Sequence, residues 1–489
     1  MQLLRPDKTT LFWYYGLGAA FIGLVAVMLF AGFDWVYIFP ALIAVALITI
    51  FSFDKLILLI TFLVPFSITI NDIGEGLGMG MNFPSEPLTF ALMVAAWIKY
   101  FYDGNFDRKI LMHPLSIAIL IYLGWIFITS LFSTRVGVSL KFFVNKLWII
   151  TVFYFLATQL FRKLQNIQRF IWCYAIPLFG IIIYALIEHA SFGFTQKSAY
   201  WVMKPFYIDH GVYAATIAFF VPFLVGLFLY SSKFNISNVG RFFILIFLIE
   251  FLVGIVFSFT RATWVSLVAA GGFMFVFLLR IRFFPFVFMA LLAGGILYTF
   301  QTEIKIFLTS NKQDSANNFS QHVKSIYNVS TDDSNLERIN RWNSAFRMWK
   351  EKPIMGWGPG VYKFEYARYQ LSSEKTKIST NFGTGGNSHS EYVGPLCETG
   401  IIGLGTFILV IALMLYRGMK LYYESKNSQV RLLCVTLLLG LITYFVHGVL
   451  NNYSDSDKVG TLIWGFTAAI VAMDVYHHPK GAEDQIETK

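Results

Sequence analysis

Long apolar runs alternate with short polar connections along most of this chain. A helix needs roughly 20 consecutive apolar residues to cross the hydrocarbon core of a bilayer, and fourteen runs approach that length. The third and fourth runs are short and the tenth and eleventh are nearly fused, so the pattern predicts about 12–14 transmembrane helices. The predicted spans are residues 11–31, 34–52, 54–70, 88–102, 115–132, 139–160, 167–188, 211–230, 242–259, 262–279, 283–300, 393–416, 432–451 and 459–476.

One long polar loop interrupts the apolar pattern late in the chain. Residues 310–333, rich in Asn, Ser, Gln and Asp, predict a flexible stretch. Ser334 and Glu337 then have the spacing of a capping box, in which two side chains satisfy free backbone donors at a helix start. Apolar residues at three- and four-residue intervals predict an amphipathic helix, 335–351, lying over the membrane face. These residues are Leu336, Ile339, Trp342, Phe346 and Trp349.

The pattern therefore divides the chain into four regions. We expect a transmembrane helix bundle at 1–300, containing about eleven spans, and a large, partly helical loop at 301–392. Further transmembrane helices follow at 393–476, and residues 477–489 form a tail. The apolar run after the basic start is too long for a signal-peptide core and lacks a small-residue cleavage site, so we expect a retained first span.

Composition supports the membrane class. Hydrophobic residues make up 56% of the chain and charged residues only 13%, whereas soluble domains are about 25% charged. The formal net charge of +10 is attributed to loop residues that fix topology and meet anionic lipid, and not to nucleic-acid binding. Cys173, Cys397 and Cys434 lie in apolar runs without CxxC spacing, which predicts neither a disulfide framework nor a metal site.

The distribution of Lys and Arg predicts the orientation. With the N-terminus in the cytoplasm, eighteen of these residues fall in cytoplasmic segments and six in the short segments on the other side. Cytoplasmic loops carry the excess of positive charge in membrane proteins. We therefore expect the 301–392 loop to lie outside the cytoplasm and the tail at 477–489 to lie inside.

Four side chains are candidates for a polar site on the outer face. Arg261 lies between two apolar runs, where it is either a snorkelling anchor or a fixed cation facing a lipid phosphate, which guanidinium binds in two-point hydrogen bonds. His389 lies beside glycines just before a span, and histidine has a pKa suited to a general base. Arg338 and Arg341 both lie off the apolar stripe of the loop helix, and periodicity cannot choose between them.

Other polar groups carry weaker predictions. Glu250 lies within the predicted span 242–259, and intramembrane carboxylates are candidates for proton-coupled transport. Asp209-His210 and Asp332-Asp333 lack a second ligand set at a recognisable spacing, so the sequence predicts no metal site.

Taken together, the motifs resemble those of the O-antigen ligase and O-antigen polymerase superfamily of bacterial membrane glycosyltransferases. The segment 258–264, SFTRATW, is similar to that family's Ser/Thr-Arg motif between two spans. Arg341-Trp342-Asn343-Ser344-Ala345 followed by 352–360, KPIMGWGPG, resembles its loop motif. The segment beginning at His389 and running through Glu398 to Gly403 resembles its histidine motif, and the late long loop resembles its architecture.

The resemblance implies an all-α, GT-C-like polytopic enzyme of the bacterial inner membrane, with its active site facing the periplasm. It implies metal- and cofactor-independent transfer of a glycan from an undecaprenyl diphosphate carrier to a sugar hydroxyl. His389 would be the catalytic base, and Arg261 and Arg341 would bind the donor diphosphate, with Arg338 and Glu398 in supporting positions. Fixed arginines would stabilise the charge that develops on the leaving diphosphate.

Two questions stay open at this level. The acceptor is either lipid A-core, as for a ligase, or the growing lipid-linked glycan, as for a polysaccharide polymerase. A flippase or transporter is the alternative of another class, since many spans, a basic balance and Glu250 would also suit it. The partners expected in either enzyme are the lipid-linked donor, a glycan acceptor and membrane lipids.

Overall fold

The computed structural model describes residues 53–70, 81–104, 106–299, 333–377, 379 and 386–478. The chain divides into two compact units, Met1–Ile57 and Leu58–Lys489, and the site described below lies wholly in the second. Some predicted features fall outside the described residues: the spans at 11–31 and 34–52, the flexible stretch at 310–332 and the tail from 479 onwards.

Helices make up nearly all of the regular structure in the described ranges. They are α1 (Phe53–Leu63), α2 (Ser85–Asp103), α3 (Arg108–Leu111), α4 (Pro114–Leu131), α5 (Val136–Leu160, π-helical at Thr151–Leu156), α6 (Leu164–Ser191), α7 (His210–Leu229), α8 (Asn238–Phe257), α9 (Arg261–Leu278), α10 (Phe283–Thr299), α11 (Asp333–Glu351), α12 (Tyr362–Glu365), α13 (Val393–Glu424), α14 (Ser428–His447) and α15 (Asp457–Tyr476). Among these described helices, nine are long and apolar enough to cross a membrane: α4 to α9 and α13 to α15. The chain is an all-α polytopic membrane protein, as its pattern predicts.

The predicted span 54–70 does not continue as a helix beyond Leu63. Within the described residues α1 covers Phe53–Leu63, so residues 64–70 do not extend it. The chain then turns into strand β1 (Ile68–Ile70), which pairs antiparallel with strand β2 (Met81–Phe83). The apolar residues after Leu63 therefore form an edge of a small hairpin and do not continue the helix.

Helix α14 ends four residues earlier than the predicted span 432–451. It ends at His447, and residues 448–456 form a connection to α15, named here the 448–456 loop. Val449 and Leu450 extend the apolar run in the sequence although they lie beyond the helix. Hydropathy alone does not separate an apolar residue packed in a loop from one in a membrane helix, and this loop turns out to line the candidate site.

Helix α13 is interrupted near its start at Gly400. Its backbone has φ 71° and ψ −175°, a conformation that side chains with a Cβ rarely adopt. A Cβ at this position would also lie 1.9 Å from the carbonyl oxygen of Ile354. The glycine therefore permits both the break and the close approach of the turn that follows α11.

Hydrogen bonds join this break to the 353–358 turn and to α4. The N–H groups of Trp357 and Gly358 donate to the carbonyl oxygens of Cys397 and Glu398, at 3.0 and 2.8 Å, and that of Ile401 donates to Pro353 at 2.9 Å. The indole N–H of Trp125 donates to the carbonyl oxygen of Thr399 at 2.8 Å. The polar loop is thus attached to the membrane bundle through backbone groups.

Helix α11 packs on a face that differs from its predicted apolar stripe. Of the stripe, Ile339 and Phe346 are 38% and 40% exposed. The buried face instead presents Ala345 and Met348 to a small core that also contains Trp357, Val361, Tyr362, Tyr366 and Cys397. Polar side chains share this buried face, namely Glu337, Asn340, Arg341 and Ser344. Their mutual pairing compensates their burial.

Candidate functional site

Two cavities lie side by side at the end of the bundle where α7, α9, α13 and α15 begin. The first cavity has a volume of about 290 Å³ and is lined by Arg261, Arg338 and His389, together with Asp209 and Tyr453. The second cavity has a volume of about 700 Å³ and is lined by Arg341 and Glu398 as well as by His389. His389, Asp209 and Tyr453 line both cavities. All five residues singled out by sequence and resemblance therefore face one of two adjoining spaces.

Arg261 reaches the first cavity because the turn between α8 and α9 is sharp. Phe259 has φ 51°, in the left-handed region, so α9 begins only two residues later, at Arg261. The Thr260 hydroxyl donates to the carbonyl oxygen of His210 at 3.3 Å, which ties the turn to the start of α7. A helix N-terminus carries a partial positive charge, and α9 adds this to the charge of Arg261.

Arg338 brings a second guanidinium to the same cavity from the loop. Its Nε donates to the carbonyl oxygen of Leu450 at 3.2 Å, so α11 is held against the 448–456 loop. The two arginines that line the first cavity are thus Arg261 and Arg338. The periodicity of α11 alone does not choose between Arg338 and Arg341 for this position.

Arg341 faces the second cavity and is held by fixed partners. Its Nε donates to Glu337 Oε1 at 2.8 Å and its Nη1 to the carbonyl oxygen of Asn387 at 2.9 Å. The guanidinium also lies 5.3 Å from the centre of the Tyr366 ring. Gly386 makes room for it, since a Cβ there would lie 1.9 Å from Nη1. Arg341 therefore fixes the chain two residues before His389.

Glu337 does not act as the predicted capping-box partner. Helix α11 begins at Asp333, and the Glu337 carboxylate accepts hydrogen bonds from Arg341, Ser379 and Thr376. Burial raises the pKa of this carboxyl, but the hydrogen bonds from Ser379 and Arg341 and the charge of Arg341 outweigh it, so its pKa is lowered. Glu337 is consequently an ionised anchor for Arg341.

His389 is held in an uncommon conformation with one ring nitrogen unused. Its φ is 50°, and non-glycine residues in this region cluster at functional sites. Its N–H donates to Asn387 Oδ1 at 3.0 Å, whereas its buried Nδ1 has no hydrogen-bond partner among the described residues. Burial, and then the charges of Arg341 and Arg338, lower the pKa of His389 to about 3, with Glu337 opposing. The imidazole is therefore neutral near pH 7 and has a lone pair to accept a proton.

Glu398 joins the turn after α11 to the start of α13. Its Oε1 accepts a hydrogen bond of 2.9 Å from the N–H of Tyr362, and its carbonyl oxygen accepts one from Gly358. Through these contacts it positions one wall of the second cavity, which it also lines.

Glu391, which the sequence did not single out, connects the His389 segment to the 448–456 loop. Its side chain is buried and accepts hydrogen bonds from the N–H groups of Tyr453 and Ser454 at 2.7 and 2.8 Å and from the Tyr444 hydroxyl. Its own N–H donates to the carbonyl oxygen of Gly448 at 2.8 Å. The polar run 451–458 between two apolar runs was the signal available in the sequence for this loop.

Glu250 does not line either cavity with the arginines, whereas Asp209 and His210 line the first cavity with them. Glu250 lies on α8, and neither carboxylate oxygen has a hydrogen-bond partner among the described residues. Asp209 accepts hydrogen bonds from the N–H groups of Gly211 and Val212 at 2.7 and 3.0 Å, so it caps α7 while lining both cavities. Asp333 begins α11, and Asp332 lies outside the described residues.

These features define a class: a polytopic membrane protein with a polar, arginine- and histidine-lined site at one end of its helix bundle. Residues 243–408 match the family model described as O-antigen ligase. That match spans Arg261, Arg338, Arg341, His389 and Glu398, and it confirms for this part of the chain the resemblance to O-antigen ligases that the motifs indicated. It supports a membrane glycosyltransferase role of the O-antigen ligase and polymerase type in general. No curated protein matches the chain.

Proposed function

We propose that this protein transfers a glycan from an undecaprenyl diphosphate carrier to a sugar hydroxyl, in the manner of an O-antigen ligase with lipid A-core as acceptor. The observation that carries the proposal is the shared lining of one cavity by Arg261, Arg338 and His389. Two guanidinium groups and a neutral imidazole at one membrane face are the groups that a lipid diphosphate donor requires for transfer.

The arginines account for donor binding. Guanidinium holds phosphate oxygens in two-point hydrogen bonds and keeps its charge at all relevant pH values. In our proposal Arg261 and Arg338 contact the diphosphate in the first cavity, and the N-terminus of α9 adds its dipole. Arg341 contributes its positive charge from the second cavity and positions the His389 segment. This charge stabilises the leaving group as its bond to the sugar breaks.

His389 accounts for activation of the acceptor. The acceptor oxygen forms a bond to the anomeric carbon of the donor sugar, and the bond from that carbon to the diphosphate oxygen breaks. The electron pair of the broken bond leaves with the diphosphate, and the acceptor proton passes to the neutral imidazole of His389. When the anionic diphosphate partly neutralises Arg338 and Arg341, the repulsion that weakens this base decreases. Both lipid-anchored reactants are held at one face, which supplies proximity.

The charge bias supports the proposed location. On the span map predicted from the sequence, eighteen Lys and Arg residues lie on one side and six on the other, as expected for an inner-membrane protein whose site faces the periplasm. The division at residues 300, 392 and 476 into bundle, loop, C-terminal helices and tail stays a prediction.

A transfer assay in detergent tests the proposal. Purified protein receives an undecaprenyl diphosphate-linked glycan with either lipid A-core or more of the same lipid-linked glycan as acceptor. Product on lipid A-core identifies a ligase, and elongation of the lipid-linked glycan identifies a polymerase of the same superfamily. A flippase would give neither product, because transport has no meaning without a sealed membrane. Arg261→Lys is the matched variant, and we expect weaker binding of undecaprenyl diphosphate because the two-point contact is lost.

A further inference from the structure

The second cavity has a polar lining that the donor does not explain. It combines the carboxylates of Asp455 and Asp457 with the amide side chains of Asn82, Asn387 and Asn452. Its volume of about 700 Å³ lies in the usual range of ligand pockets. Part of its lining comes from the 448–456 loop and the β1–β2 hairpin, both beyond the matched residues 243–408.

Several charged groups of this cavity are already engaged. Lys458 Nζ donates to the carbonyl oxygens of Val64, Pro65 and Ser67 at 2.9 to 3.1 Å. Asp457 accepts hydrogen bonds from Ser67, Ser85 and Asn82. These two residues therefore fasten the hairpin to the start of α15 and have little left to offer a ligand.

Two residues of this lining keep acceptor oxygens that the described residues do not fully engage. Asp455 places Oδ1 2.7 Å from Lys146 Nζ, and its side chain is still 38% exposed. Asn452 has a buried Oδ1 without a hydrogen-bond partner among the described residues. Both oxygens accept hydrogen bonds and neither can donate one. A ligand that satisfies them must present donors.

We propose that Asp455 and Asn452 bind the acceptor sugar through its hydroxyl groups and select for an uncharged, hydroxyl-rich glycan end. This inference rests on the proposed transfer function and assigns a binding site to its second substrate, the acceptor. Hydroxyl donors satisfy carboxylate and amide oxygens, whereas the carboxylate of Asp455 repels phosphate and acidic sugars. Arg261 and Arg338 line the first cavity, whereas Asp455 and Asn452 line the second. The charge of Arg341 in the second cavity is paired with Glu337.

The shared wall between the cavities fits this assignment. His389, Asp209 and Tyr453 line both spaces, so a hydroxyl held in the second cavity meets the diphosphate sugar across His389. Glu391 lies two residues after His389 and accepts hydrogen bonds from the backbone N–H groups of Tyr453 and Ser454. It thereby fixes the distance between His389 and the 448–456 loop. Asp455 and Asn452 therefore belong to a loop whose backbone is held in place by Glu391.

The test compares substrate constants in the purified full-length protein, with whichever of the two acceptors the wild type uses. For Asn452→Ala and Asp455→Asn we expect the acceptor KM to rise about tenfold or more, consistent with the loss of one or two net hydrogen bonds, while the Kd for undecaprenyl diphosphate stays within about twofold. For Arg338→Ala we expect the Kd for undecaprenyl diphosphate to rise and the acceptor KM to stay nearly unchanged. Asp107→Asn is the matched control, because Asp107 pairs with Arg162 at 3.0 Å and lines neither cavity.

The outcomes separate the two proposals. An unchanged acceptor KM in folded Asn452→Ala, with normal transfer by the wild type, overturns the acceptor subsite and leaves the transfer function standing. Absence of transfer by the wild type to either acceptor overturns the function and the subsite with it. Loss of Asp455 leaves the buried Lys146 without its carboxylate, so if Asp455→Asn does not fold, the uncharged Asn452→Ala decides.

Discussion

Arg341 Nη1 donates a hydrogen bond of 2.9 Å to the carbonyl oxygen of Asn387, two residues before His389. The same guanidinium bonds Glu337 at 2.8 Å on its other edge. One planar group thereby joins α11 to the segment that carries the proposed base, and its shape matters as much as its charge.

Arg341→Lys tests this relationship. An ammonium keeps the charge but cannot reach both partners in the fixed fork geometry, and small misplacements of reacting groups can cost about a hundredfold in rate. We expect turnover to fall at least tenfold. Arg347→Lys is the control on the same helix, because Arg347 pairs with Glu374 away from both cavities. Equal turnover in the two Lys variants would remove the positioning role.

His389→Ala tests the general base. We expect turnover to fall by about a hundredfold or more, the usual contribution of a positioned base, with binding of undecaprenyl diphosphate nearly intact. Single-turnover rate, donor Kd and melting temperature are measured on one preparation. If His389 only packs the loop, its loss would lower the melting temperature and donor affinity together, and turnover of the remaining folded protein would hardly change.

The low pKa of His389 gives a pH prediction. In the folded protein, burial and the neighbouring arginines lower the pKa of His389 from its ordinary value of 6.5 to about 3. As the pH falls, the unfolded chain therefore binds this proton before the folded protein does. His389 therefore makes the folded state less stable as the pH drops from 6.5 towards 3. The melting temperature of His389→Gln should fall less steeply over this range than that of the wild type, and identical slopes would contradict the assignment.

Substitution of Gly400 tests the break in α13. Gly400→Ala would place a Cβ 1.9 Å from the Ile354 carbonyl oxygen at φ 71°, so strain and collision add. We expect a loss of about 2 kcal/mol or more in stability and reduced turnover. Gly405→Ala on the same helix is the control, since nothing lies within 4 Å of its Cβ position. Similar melting temperatures for both variants would be incompatible with a required left-handed residue.

Cysteine labelling tests the orientation. A cysteine at Ser372, exposed beside α11, should react with an impermeant maleimide in intact spheroplasts. A cysteine at Lys426, exposed between α13 and α14, should react only after lysis. The reverse pattern would place the site in the cytoplasm and remove the lipid-linked donor from reach.

Hydropathy predicted the helices well where the whole apolar run lies within one membrane-spanning helix. Spans such as α7 and α8 lie within a few residues of prediction because lipid and protein both favour apolar side chains there. It failed at 64–70, where a similar run turns into a paired strand, and at 448–451, where apolar residues lie in a loop. A residue-by-residue scale contains no term for strand pairing or for the position of a turn.

Polar pairing explains the other differences. The buried face of α11 contains Glu337 and Arg341, which an apolar stripe cannot reveal because each residue compensates the other. Arg261 and His389 were candidates by residue type and position, and the resemblance to family motifs gave them roles. Asp455 and Asn452 have no such motif, and they lie in a loop whose first four residues the sequence assigned to a membrane helix.

The hydrogen bonds around Gly400 have a consequence for stability. The break frees backbone groups of α13 that a continuous helix would satisfy internally, and unpaired groups in hydrocarbon cost several kcal/mol each. Trp357, Gly358 and Pro353 from the loop and Trp125 from α4 take up these groups. The broken helix is therefore stable only with the loop docked, and the loop has its binding surface only when the helix is broken. We therefore expect a substitution that undocks the loop to destabilise the break in α13 as well, and the reverse.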